Sequence, residues 1–312
     1  MIARLRQVRR EALGLNRRNQ DLLARVNPPR LVALVDHKLQ TKRVLAAAGL
    51  PVPDTFGHYT RQRELGALAR EAEQRLSFVL KPARGAGGEG VMVIAGRRYD
   101  RLLKASGEGL RVGELLAHAA DIIAGAFSLS QARDEALLEY RLAPDGALAA
   151  YSPGGVPDVR VVLAHGVPVM AMLRLPTRAS DGRANLHVGG IGVGIDLVSG
   201  RAVHAICRDR AVSVHPDTQH PLSSIQVPAW DDILRLAARS YDAIALGYFG
   251  IDIVVDEHLG PVILELNARP GLSIQLANHR GLRRLVDAAT ARSAAGLNAA
   301  ARVDRGRELW SS

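Results

Sequence analysis

Residues 77–96, SFVLKPARGAGGEGVMVIAG, constrain the fold more than any other stretch of the chain. An apolar run carrying Lys81 leads into Gly85, Gly87, Gly88 and Gly90, and a second apolar run follows at once. This order predicts two strands joined by a glycine loop. Glycines let backbone N–H groups approach phosphate oxygens closely, and a lysine beside them adds a point charge. The loop lacks a GK[ST] ending and no helical pattern follows it, so it is neither a Walker loop nor a dinucleotide-binding turn. Taken alone, it could equally be a surface turn.

A second hairpin is predicted from GIDIVVD (250–256) and PVILELN (261–267), joined by EHLG. Residues two apart on a strand face the same side, so Glu265 and Asn267 project together, and Asp252 can join them from the neighbouring strand. Two carboxylates and an amide oxygen are hard ligands suited to Mg²⁺ held with phosphate oxygens. The competing reading is a pair of surface strands whose acidic residues face water. A third cluster lies between the hairpins. Arg174 interrupts the apolar strand of the hairpin VRVVLAHGVPVMAMLRLP (159–176), and Arg183 and Asn185 follow in a polar, glycine-rich loop at 177–194. A charged side chain in such a strand needs a partner or a ligand; an exposed edge strand is the alternative.

The remaining pattern gives helices over 1–25, 37–49, 63–76, 112–135, 231–246 and from 281 onward, and strands at 31–36 and 136–142. NPPR at 27–30 ends the first helix, which has a basic face. The formal charge of +10, from 41 Lys and Arg against 31 Asp and Glu, suits anionic substrates or partners, although coding bias for arginine explains it as well. Only 4% of residues are aromatic, which leaves few stacking platforms for single-stranded nucleic acid. No run of about 18 apolar residues suggests a membrane span. The single cysteine, Cys207, excludes an intrachain disulfide and a cysteine metal cage, and cytoplasmic residence is the default expectation.

Lysine and glycine loop, an EY pair, an RxN loop and then D…ExN is an order that resembles the ATP-grasp ligases. LVDHKLQTKRVLAAAGLPVPDTF, FVLKPARGAGGEGVMVI, LLEYRL, PDVRVVL, GRANLHVGGIGVGID and PVILELNARPGLSIQ are most similar to the RimK-type branch and its alpha-L-glutamate ligase-related proteins. The resemblance implies an α+β ATP-grasp fold in which two subdomains clasp the nucleotide, preceded by a short N-terminal helical region. The expected division is a helical extension over 1–30, a first subdomain with the glycine hairpin over 31–140, and a second with the metal site over 141–312.

The resemblance also assigns roles. Lys38 (with Lys42, one helical turn later, as its rival) and Lys81 would contact phosphates beneath the loop from Gly85 to Gly90. Glu139 and Tyr140 would lie beside the adenine, and Asp158 on the ribose side. Arg174, Arg183 and Asn185 would act near the transferred phosphoryl group. Asp252, Glu265 and Asn267 would hold Mg²⁺, with Mn²⁺ as a substitute. Arg269, where many relatives have a small residue, would pair with a substrate carboxylate or brace its loop, the first being favoured. The implied reaction joins a carboxylate, glutamate being one candidate, to an amine-bearing small molecule, peptide or protein through an acyl phosphate, with ADP released. Phosphorylation without ligation and non-catalytic nucleotide binding are the alternatives. A homo-oligomer is left open.

Overall fold

A computed structural model describes residues 11–85, 87–128, 132–291 and 296–312. The first ten residues of the expected basic helix lie outside this set. The chain divides into two compact units. The larger is built from the described residues of Met1–Asp36, Gln40–Val52 and Pro144–Ser312, the smaller from His37–Leu39 and Pro53–Ala143. This differs from the expected division, because the N-terminal segment and residues 40–52 join the C-terminal half.

The smaller unit holds one antiparallel sheet of six strands: β1 (Thr55–Tyr59), β2 (Phe78–Pro82), β3 (Met92–Arg98), β4 (Arg101–Lys104), β5 (Gly109–Leu110) and β6 (Ala136–Glu139). Their order is β1-β6-β2-β3-β4-β5. Helix Val112–Ala124 packs on β2 and β6 through Leu115, Ala119, Ile122 and Ile123, which recur at helical spacing and are buried. Its predicted extension to residue 135 is cut short by Gly125, which ends the helix at φ 92°. Helix Leu65–Glu73 covers β1. Phe78, Leu80, Ile94, Leu102 and Leu138 complete the core between these layers.

The larger unit holds seven antiparallel strands: β7 (Asp158–Ala164), β8 (Val167–Leu175), β9 (Ile191–Ile195), β10 (Ala202–Cys207), β11 (Arg210–Ala211), β12 (Tyr248–Asp256) and β13 (Gly260–Asn267). Their order is β11-β10-β9-β8-β7-β12-β13. Helices Trp230–Ala243, Arg283–Ala291 and Ala299–Ser311 pack against β7 and β8. The indoles of Trp230 and Trp310 donate to the Leu197 carbonyl (3.0 Å) and to Asp196 (2.8 Å). Two segments depart from expectation. Residues 31–35 lie in a helix, Pro29–Val35, rather than a strand, and Asp36 follows it; the second proline of NPPR occupies the first helical turn, where its missing N–H costs nothing. Residues 191–194, expected in a loop, belong to β9. Its glycines admit a neighbouring backbone: a Cβ on Gly194 would stand 2.7 Å from the Asn278 Cα.

The N-terminal segment is tied into the larger unit by Asn27. Its carboxamide donates to the Tyr248 carbonyl at 2.6 Å and accepts from the Tyr248 N–H at 2.9 Å. Among the described residues no helix is long and apolar enough to cross a membrane.

Candidate active site

In the larger unit, register turns an apolar sheet into a charged row. Asp158 on β7 lies opposite Arg174 on β8; Arg160 on β7 lies opposite Asp252 on β12; Asp252 lies opposite Glu265 on β13. Asp158 and Arg160 are two apart, so they share one face of β7, while Val159 and Val161 turn to the other. The row thus crosses four adjacent strands, and every residue of β7 and β12 is buried. Buried charges require partners, and these have them. Arg160 grips Asp252 through Nε to Oδ1 (2.7 Å) and Nη2 to Oδ2 (2.6 Å), while Arg174 donates Nη2 to the same Oδ2 at 2.6 Å. The Nε of Arg174 reaches Asp158 Oδ1 at 2.7 Å.

Burial alone would raise the Asp252 carboxyl, but the Arg160 and Arg174 guanidiniums outweigh it and hold the group at about 2. Asp158 has one guanidinium contact and the Asp252 charge nearby, so burial dominates and pushes it up to about 7.

Asn267 lies opposite Gly250, on the same face as Glu265. Both are half-buried, and the Asn267 Oδ1 accepts the Arg269 N–H at 2.9 Å. Glu265 and Asn267 present the hard oxygen donors that Mg²⁺ takes. Asp252 belongs to the same set by chemistry and by face, and two guanidiniums already share its oxygens. Among the described residues no three His, Cys, Asp or Glu side chains gather as a metal site.

Arg269 has an internal partner. Its Nη1 donates to both oxygens of Asp36, at 2.9 and 3.1 Å, in an exposed pair. Arg183 and Asn185 are held by their own loop: Arg183 Nε donates to the Ser180 carbonyl (3.2 Å), and Asn185 Oδ1 accepts from the His187 N–H (3.0 Å).

In the smaller unit, Lys81 on β2 and Glu139 on β6 form a buried ion pair at 2.7 Å, with side chains 8% and 2% exposed. Glu139 therefore faces an ammonium group, while the Tyr140 N–H donates to the Asp54 carbonyl at 2.9 Å. Lys38 donates its backbone N–H to the Ala83 carbonyl at 2.9 Å and its ammonium to the Gly85 carbonyl, at the root of the glycine loop. Its rival Lys42 is buried in the larger unit. Gly87, Gly88 and Gly90 take φ of 65°, 82° and 71°, values that side chains with a Cβ avoid. At Gly90 a Cβ would also stand 2.6 Å from the Phe127 ring, and the Gly90 carbonyl lies 2.9 Å from His118 Nε2.

Arg160 is the member of the row that sequence reasoning missed. The signal was available: a charged residue two positions from Asp158 inside an apolar strand, the same anomaly that singled out Arg174.

The family model for sugar-transfer associated ATP-grasp proteins matches residues 17–291. No curated protein matches the sequence. Among solved structures, the chain is similar to the ATP-grasp ligase PsnB complexed with minimal precursor, at 20% identity and TM-score 0.45, covering 86% of this chain and 64% of that one. It is also similar to the D-alanine-D-alanine ligase from Coxiella burnetii, at 13% identity and TM-score 0.46, covering 91% of this chain and 59% of that one. The chain thus spans less than two thirds of either structure. The matched family is the sugar-transfer associated one rather than a RimK-type one, and its match runs through both units. With two antiparallel α+β sheets and a family match over most of its length, the chain belongs to the sugar-transfer associated ATP-grasp family.

Proposed function

We propose that the chain is an ATP-dependent carboxylate–amine ligase working through an acyl phosphate. The observation that carries this reading is the charged row: two guanidiniums, Asp252 and Glu265 on one face of a sheet, with Asn267 beside them. A carboxylate is a poor electrophile until its oxygen is phosphorylated, and phosphoryl transfer asks mainly for positioned charge. Mg²⁺ bound by Glu265 and Asn267, with Asp252, would neutralise phosphate charge. Arg174, fixed by Asp158 and Asp252, is preorganised to stabilise negative charge developing on the transferred group and on the tetrahedral intermediate that follows amine attack. Asp158 is thereby read as the orienter of Arg174 rather than as a ribose contact. Arg183 and Asn185 would act on the same phosphoryl group from their loop. In the smaller unit, Lys38, Lys81 and the Gly85–Gly90 loop would bind phosphates, and Glu139 and Tyr140 would lie beside the adenine.

The family is described as sugar-transfer associated, so amino sugars and sugar-linked amines belong in the screen as acceptors. Glutamate is the first carboxylate donor to assay, as the RimK-type resemblance implied. The decisive assay is ADP release across donors and acceptors, with mass spectrometry of the product. A condensed product is expected; a phosphorylated one would make the chain a kinase. Glu265→Ala should lower ADP release about a thousandfold, equivalent to about 4 kcal/mol of lost transition-state stabilisation. Undiminished turnover would refute the metal assignment.

A further inference from the structure

Arg160 has no role in the reaction described above, yet it holds Asp252 more tightly than any other group. Its fork closes both carboxylate oxygens at 2.7 and 2.6 Å, and Arg174 adds a third donor at 2.6 Å. Asp252 is fully buried, so bulk water does not reach this carboxylate. The two arginines are not equivalent. Arg174 keeps Asp158 through its Nε whatever happens at Asp252, whereas the Nε and Nη2 of Arg160 are both committed to Asp252.

We infer that Arg160 is a positioning residue that makes cation and nucleotide binding interdependent, because a divalent cation and the Arg160 guanidinium exchange on Asp252. This inference rests on the ATP-dependent reading of the site. Its physical basis is charge. A cation about 4 Å from a guanidinium is repelled by several kcal/mol at the effective dielectric of such a site. A cation arriving alone must therefore displace Arg160, leaving a guanidinium in a buried strand without its carboxylate, a costly state. A polyphosphate removes that cost, since its oxygens accept the guanidinium as Asp252 accepts the cation. Each ligand then strengthens the other by the same factor.

The test uses the full chain with Mn²⁺ as the cation probe, followed by electron paramagnetic resonance, and a non-hydrolysable ATP analogue. Wild type should bind Mn²⁺ weakly alone and about tenfold or more tightly with the analogue, within the usual range of coupling. Arg160→Met should bind Mn²⁺ alone about tenfold more tightly than wild type, bind the analogue less well, and lose the coupling. Arg160→Lys, which keeps the charge but not the fork, should fall between them. Circular dichroism checks that each variant is folded; if Arg160→Met is not, the Arg160→Lys shift in Mn²⁺ affinity decides. Equal affinity for Mn²⁺ alone in wild type and the folded variant, with the analogue still bound, would overturn the exchange and leave Arg160 a structural brace. Failure of the wild-type chain to bind the analogue at all would overturn the ATP reading itself, and this inference with it.

Discussion

In the smaller unit the ion pair of Lys81 with Glu139 is buried between β2 and β6. In the larger unit, Asp158, Arg160, Arg174, Asp252 and Glu265 share one row across four strands, and Asp252 alone takes three charged hydrogen bonds. Both arrangements bury charge, but they respond differently to loss of a member. A buried pair that loses its carboxylate strands an ammonium in the core. A network that loses one guanidinium still has another on the same oxygen. Burying charge in a network therefore gives the larger unit a site whose members can change partners without the fold collapsing.

The sharpest break in this comparison is at the Lys81–Glu139 pair. Glu139→Leu should destabilise the protein by about 3–5 kcal/mol, read from urea unfolding, because Lys81 is left buried without its carboxylate. Lys81→Met/Glu139→Leu should recover most of that loss, since well-packed apolar residues replace a buried pair at little cost, while nucleotide binding stays impaired. Recovery of both would leave the pair only a structural role. A smaller loss, about 1–3 kcal/mol, is expected for Arg160→Met, because Arg174 continues to satisfy Asp252. A cost equal to that of Glu139→Leu would show that the row offers no redundancy.

The smallest effect concerns acid. Glu135 accepts from His37 (3.3 Å) and His58 (2.5 Å). Burial works to raise its carboxyl, but the His58 hydrogen bond and the His37 charge bring it below its ordinary value of 4.5. A depressed carboxyl contributes stability above pH 4.5 and loses it as acid protonates the group. Glu135→Gln should flatten the decline in melting temperature between about pH 5 and pH 3 by the equivalent of under about 1 kcal/mol, the scale of a partly exposed pair. An unchanged slope would remove Glu135 from the acid response.

Much of this architecture was legible in the chain. Alternation along 159–176 and 250–267 marks the strands, and the period of two by itself puts Glu265 and Asn267 on one face. Two kinds of information were missing. Short apolar runs do not distinguish helix from strand, so residues 31–36 were read as a strand although Pro29 begins a helix there. Register between strands distant in sequence is set by tertiary packing. Arg160 meets Asp252 across 92 residues, and Arg269 meets Asp36 across 233. No local pattern names either partner: Arg160 stands out as a charge inside an apolar strand, but its pairing with Asp252 does not, nor does that of Arg269 with Asp36.

The order in which the units use the chain bears on how the protein is made. Residues 53–143 emerge from the ribosome as one continuous block with a core of their own, and domains tend to fold as units during synthesis. The helices before them cannot finish docking so early: Asn27 waits for Tyr248, 221 residues later. The nascent chain should therefore carry a folded insert between two unfinished edges, with exposed Leu and Val from the first helices in need of shielding until β12 arrives.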